Sequence, residues 1–306
     1  MKVAIARFAA VISLVVIACG SAGNRAGGEP YLLFDGERSF AELEAQVDFG
    51  FRVPGTDAHR ACSEYLSGRL SEYADSIWND RWEHVLSTGD TVALVNICAS
   101  FNPGEKKRVL LCAHWDTRPI AEHDPDPASR DKPIPGANDG ASGVAVLLEL
   151  ARVFSLAPPA AGVDIVLFDC EDYGDFHADT DVLIGSKRFA WEHGGHYRPA
   201  LGVLLDLIGD RNARFTYEGY SWNYLPADCE LIWETAEALG YGQIFAKQVG
   251  SGVTDDHVPL LRAGIRCIDI VQMGLPYWHT RADTPDKCSP STLEAVGRTI
   301  AAVVYK

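Results

Sequence analysis

Five places in the chain put an imidazole or a carboxylate at the end of an apolar run, in a glycine-rich turn or in a late loop: His114, Asp139, Glu171 with Asp172, Asp206, and His279. Nitrogen and carboxylate donors without thiolates suit a catalytic zinc ion, which takes about three protein ligands and leaves one position open. In His114-Trp115-Asp116 the polar residues are two apart and share a side of an extended backbone. Asp116 is therefore placed to accept a hydrogen bond from the far nitrogen of His114 and fix its ring. Alone, a histidine after a strand is more often structural, and an acidic strand end can be a solvated loop. Complementary donors at several junctions raise both above that reading.

These donors act together only if strands and helices bring them to one edge. Apart from Asp164, residues 163–168 are apolar and rich in β-branched side chains, then break into Asp169, Glu171 and Asp172, which reads as a buried parallel strand with acids at its C-terminal end. Open α/β sheets place their ligand sites there. Further strands are expected at 81–86, 91–99, 108–113, 200–206 and 265–271, the first two as a hairpin across Ser87-Thr88-Gly89-Asp90. Helices are expected from Ser39, a capping-box residue with Glu42, and from Thr56. Others are expected after Gly143, at 185–192, 227–239 and 254–262, and from Ser289 or Ser291 to 304. Residues 117–138 have no periodicity and form a long loop, a length that is usually functional. The alternation predicts an α/β fold: a single domain with a mixed, mostly parallel central sheet flanked by helices.

The chain of 306 residues carries a net charge of −15, which argues against nucleic acid or an anionic membrane surface as partner. Lys2 and Arg7 precede an apolar segment at 8–18, too short to span a bilayer and suited to a signal peptide. It ends in Ala18-Cys19-Gly20, like a lipobox with Cys19 as the residue to be lipidated; plain cleavage near Ala22 is the alternative. The expected division is a signal peptide at 1–19, a tether at 20–34 and a catalytic domain at 35–306, exported to the periplasm or anchored at the outer membrane of a bacterium. Of eight cysteines none forms a C-x-x-C pair, which argues against a thiolate zinc cluster. Cys98, Cys112, Cys170 and Cys267 read as small core residues.

His114-x-Asp116, the run Gly136-Ala137-Asn138-Asp139-Gly140-Ala141-Ser142-Gly143, Asp169-x-Glu171-Asp172, and the late His279-Thr280 with Asp283-Thr284 together resemble the zinc aminopeptidase superfamily. Asp255-Asp256-His257 before Pro259-Leu260, Leu205-Asp206-Leu207-Ile208-Gly209 and Trp278-His279 are similar to the animal-type glutaminyl-peptide cyclotransferases and their bacterial relatives. The resemblance implies that Asp139, Asp172 and His279 hold one zinc and that Glu171 is the general acid/base. It also implies that Asp206 and Asp256 hydrogen-bond Glu171 and the reacting groups, and that Trp278 walls the pocket for an N-terminal glutamine. His114, with Asp116 behind it, would bind a second metal with Asp206 in the aminopeptidase branch. One departure is that Asp172 stands where animal cyclases generally have Glu. The implied substrates are peptides or proteins starting with glutamine; the alternatives are a two-zinc aminopeptidase and a binding lipoprotein without activity. The remaining histidines, His59 among them, read as surface or capping residues, and His257 as orienting the Asp256 segment.

Overall fold

A computed structural model describes residues 29–306. The expected signal peptide and Cys19 lie outside the described residues. Eight strands are present: β1 (Ser76–Val85), β2 (Thr91–Phe101), β3 (Arg108–His114), β4 (Gly162–Phe168), β5 (Leu201–Leu205), β6 (Phe215–Tyr217), β7 (Phe245–Val249) and β8 (Ile268–Ile270). Six form the central sheet in the order β1-β2-β4-β3-β5-β8, and β6 with β7 make a small separate pair. The β1–β2 hairpin and the β2–β4 contact are antiparallel, whereas β4–β3, β3–β5 and β5–β8 are parallel. The sheet is therefore mixed and mostly parallel, as the alternation of elements predicts.

Both faces of the parallel strands are covered, which is why β4 and β5 are buried along their length, the one charged residue, Asp164 of β4, being paired with Arg108. Val109, Leu111 and Ala113 of β3 join the core beneath α1 (Gly36–Asp48), α3 (Ala141–Leu156) and α8 (Pro290–Val304). Leu110 and Cys112 face the opposite layer, where Phe189 of α4 (Ile184–His193) and Leu260 of α7 (His257–Arg262) pack. A β-carbon on Gly143, in the first turn of α3, would fall 2.0 Å from the Leu205 carbonyl oxygen; glycine lets α3 lie directly on β5. The remaining helices are α2 (Asp57–Ser71), α5 (Gly219–Tyr224) and α6 (Pro226–Ala238).

From β3 the chain passes through α3 to β4 on one side, then returns through α4 to β5 on the other. The C-terminal end of β3 is thus the point where the winding reverses, the position at which such sheets open a crevice.

Some local expectations are corrected. Asp35, not Ser39, caps α1, accepting from the Glu37 and Arg38 amides, while Ser39 is buried within the helix. The short elements β6, β7 and α5 carry too few residues to show a period. All seven described cysteines are buried and free. Residues 30–34, assigned to the tether, belong to the domain: Pro30–Leu33 form a 3-10 turn and Phe34 is 1% exposed, packed against Gly297 of α8. Phe34→Ala is expected to cost about 3–5 kcal/mol in denaturant unfolding, the range for emptying a buried aromatic site; a loss below about 1 kcal/mol would return these residues to the tether.

Candidate active site

The ends of three adjacent parallel strands supply the donors. His114 is the last residue of β3, Asp206 follows β5, and Glu171 and Asp172 follow β4. Asp139 comes from the turn that opens α3, and His279 from the loop after β8. Three non-glycine residues beside these donors or among them adopt left-handed backbone: Cys170 (φ 56°), Leu207 (φ 52°) and His279 (φ 53°). Such residues cost of order 1–3 kcal/mol each and persist where surrounding contacts over-determine them, commonly at functional sites. Gly140, at φ 92°, caps α3 under the His114 ring; a β-carbon there would lie 2.9 Å from the imidazole Cε1.

The turns are held by buried side chains. Asp116 accepts from the Glu171 amide at 3.0 Å and from the Asp172 amide at 3.2 Å. Its contact with His114 Nδ1 is 3.5 Å, longer than the hydrogen bond expected from spacing. Asp116 chiefly fixes the backbone of the β4 turn. Asp283 does the same for the turn before α3, accepting from the amides of Asn138 at 2.9 Å and Asp139 at 3.1 Å. The fully buried Arg52 donates to the carbonyls of Trp115, Pro135 and Gly136, linking the two turns.

Two groups of possible metal ligands share Asp139: Asp139–Asp172–His279 and His114–Asp139–Asp206, each with its donor atoms within 4.8 Å of one another. They differ in how those atoms are used. His114 Nε2 lies 3.2 Å from Asp139 Oδ1 and 3.2 Å from Asp206 Oδ1, so the second group is closed by its own contacts. In the first, Asp139 Oδ2 and Asp172 Oδ2 are buried without a hydrogen-bond partner. His279 Nε2 stands 3.7 Å from Asp139 Oδ2 and 3.5 Å from Asp172 Oδ1. Buried carboxylate oxygens left unpaired are costly. Two carboxylates and an imidazole around such oxygens fit a zinc ion. A third group, Asp255–His257–Asp269, lies deeper, with His257 Nε2 3.1 Å from Glu218.

Burial pushes the Glu171 carboxyl well above the usual range, with Asp172, Asp255 and Asp256 adding to the rise and His114 opposing it. Asp172 and Asp206 are each raised to about 7, again chiefly by burial. His114 moves up despite burial because Asp116, Asp139 and Asp206 surround it. The donors face a cleft of about 490 Å³, walled on its apolar side by Trp278, Phe176, Leu207, Val253 and Met273. A cleft of similar size between α2 and the hairpin gathers no comparable ligand set.

The structure brings Asp139, Glu171, Asp172, Asp206, Trp278 and His279 to this cleft. Asp255 lines the cleft, while Asp256 is fully buried behind it with both carboxylate oxygens unpaired and its charge acting on Glu171. His59, read as a surface or capping residue, is buried, bonded to Asp169 at 2.8 Å and stacked on Trp115. Two contributors escaped the sequence reading, Arg118 and Glu122 of the long loop. Arg118 bonds Asp172 Oδ1 at 2.9 Å, and Glu122 bonds His279 Nδ1 at 2.8 Å. Their only sequence signal was the unusual length of that loop.

The chain matches the model of peptidase family M28 over residues 96–304. Among solved structures it is similar to a glutaminyl cyclase of Bacteroides thetaiotaomicron bound to N-acetylhistamine, at 39% identity and TM-score 0.85, covering 89% of this chain and 98% of that one. A Zn-dependent exopeptidase of Parabacteroides distasonis matches at 37% identity and TM-score 0.86, with 89% and 98% covered. Glutaminyl-peptide cyclotransferase of Bos taurus is 26% identical over 249 residues, 69% of this chain and 65% of the bovine one.

Asp116→Ala is expected to strand two buried amides and to lower stability by about 2–6 kcal/mol, at 1–3 for each donor. Chemical denaturation measures this; an unchanged midpoint would mean that Asp116 does not hold the turn.

Proposed function

The chain belongs to peptidase family M28, and within that family we propose that it is a zinc-dependent glutaminyl-peptide cyclotransferase, converting N-terminal glutamine to pyroglutamate with release of ammonia. The observation that carries this reading is the unequal state of the two ligand groups. Asp139 Oδ2 and Asp172 Oδ2 are unpartnered, while His114 already spans Asp139 and Asp206. That arrangement suits one metal, and cyclisation needs no second metal to deliver water. The similarity to the Bacteroides glutaminyl cyclase along nearly its whole length supports the same choice.

In this reading Asp139, Asp172 and His279 hold the zinc, and a bound zinc supplies Lewis-acid polarisation of the side-chain amide carbonyl. The residues of the chain do the rest. The indole of Trp278 walls the pocket against the glutamine side chain. Asp206, with Asp256 buried behind the cleft, would hydrogen-bond Glu171 and the reacting groups, and Asp255 lines the same cleft. The amine nitrogen forms the new C–N bond and gives a proton to Glu171; the bond to the amide nitrogen breaks, and Glu171 returns the proton to the leaving ammonia. A carboxyl raised by burial is suited to both transfers. Holding amine and amide together supplies the proximity term of an intramolecular reaction.

The second reading, a two-zinc aminopeptidase, is favoured by the retention of His114, Asp139 and Asp206 within ligand distance of one another. The N-terminal segment at 1–19 supports export, and a lipidated Cys19 would attach the protein to a membrane.

Incubation of a glutamine-leading peptide should give a product lighter by one ammonia, with no free glutamine and one zinc per chain. Free glutamine with two zinc ions would overturn the cyclase reading. Chelation of the metal should remove the activity and zinc should restore it. Glu171→Gln should lower turnover by at least about 100-fold, the lower end for general acid–base loss, while zinc stays bound; loss of zinc in that variant would reassign Glu171 as a ligand.

A further inference from the structure

His279 has a left-handed backbone, φ 53°, in a loop that carries both the candidate zinc ligand and the pocket tryptophan. The segment turns on itself, the Thr280 amide and hydroxyl both donating to the Tyr277 carbonyl, with His279 at the turn position that takes positive φ. Consecutive residues of the long loop add restraint from outside. Glu122 Oε1 accepts from His279 Nδ1 at 2.8 Å. The His123 amide donates to the His279 carbonyl at 3.2 Å. The His123 ring packs on the indole of Trp278, centroids 4.9 Å apart, and runs nearly parallel to the His279 ring at 5.5 Å and 19°. Asp124 Oδ2 accepts from the Arg281 amide at 2.9 Å. One turn earlier, Arg118 donates through Nε to both oxygens of Glu122 and through a terminal nitrogen to Asp172.

We propose that Glu122, His123 and Asp124 form a clasp that aims the Trp278–His279 pair. Glu122 is the positioning residue for the imidazole and His123 for the indole. Glu122 fixes the tautomer: a proton on Nδ1 leaves Nε2, the nitrogen facing Asp139 and Asp172, as a free lone pair. Arg118 joins Glu122 to Asp172, so two of the three ligands are set by one ion-pair bridge. His123 touches no ligand atom by a polar bond; its contact is with the wall against which the glutamine side chain is to lie. The clasp thus divides in two, one residue governing metal affinity and the next substrate affinity. This inference rests on His279 being a zinc ligand.

The test measures zinc affinity by competition with a chromophoric chelator, alongside kcat and KM on a glutamine-leading peptide. Glu122→Ala should weaken zinc roughly 10–100-fold, the usual effect of losing a carboxylate behind a ligating histidine. Glu122→Gln, whose amide oxygen still accepts the Nδ1 proton, should recover most of that loss. His123→Leu should leave zinc affinity within about twofold, because no polar bond from its ring to the metal group is removed, and raise KM several-fold with little change in kcat. Equal zinc affinity in Glu122→Ala and the unaltered protein would overturn the role of Glu122. A fall in zinc affinity or kcat in His123→Leu would overturn the division between the two residues. His279→Ala separates the premise from the proposal: if that variant binds zinc undiminished, the ligand assignment fails; if it loses zinc while Glu122→Ala does not, only the clasp fails.

Discussion

Five carboxylates, Asp139, Glu171, Asp172, Asp206 and Asp255, are withdrawn from water around one cleft. Most of the local design answers that concentration of negative charge. Removing so many carboxylates from solvent is unfavourable unless each is protonated, paired or bound to a cation. All three remedies are visible. Burial and like charge raise the affinity of Glu171 for a proton, with His114 opposing. Arg118 pairs with Asp172, and His114 lies between Asp139 and Asp206. Among the oxygens left over, Asp139 Oδ2 and Asp172 Oδ2 belong with His279 to a group of possible ligands that a metal would satisfy; Asp255 Oδ2 is also unpaired.

The sheet makes that concentration geometrically available. β3 has β4 on one side and β5 on the other, so three consecutive strand ends deliver His114, the Glu171–Asp172 pair and Asp206 to one edge. Gly143 lets α3 settle on β5 and brings Asp139 in front of those ends. Asp116, Asp283 and Arg52 then act on backbone amides and carbonyls. They stabilise turns whose side chains would otherwise repel one another apart.

His114 is a candidate ligand of the second group, its Nε2 3.2 Å from both Asp139 and Asp206. Protonated there, it offers those carboxylates a proton in place of a metal. The same residue types thus support either arrangement, and identity of residues alone does not choose between them. In the cyclase reading the difference lies in how the atoms are used: one group closes on itself and the other keeps its oxygens open.

The amino-acid sequence by itself determined the layer architecture, because apolar runs of strand length alternate with amphipathic helices from residue 108 onward. It also determined most of the donor set, because imidazoles and carboxylates at strand ends stand out against apolar runs. It could not tell that Asp255 lines the cleft while Asp256 is buried behind it, since neighbouring residues at a helix start point in different directions. It could not reveal Glu122 or Arg118, which sit in an aperiodic loop more than 150 residues from His279 in the case of Glu122. It also put Phe34 outside the domain, although α8, from the other end of the chain, buries it. Only the tertiary structure decided these points. Each depends on a contact between segments far apart in sequence, and no local period or composition records such a contact.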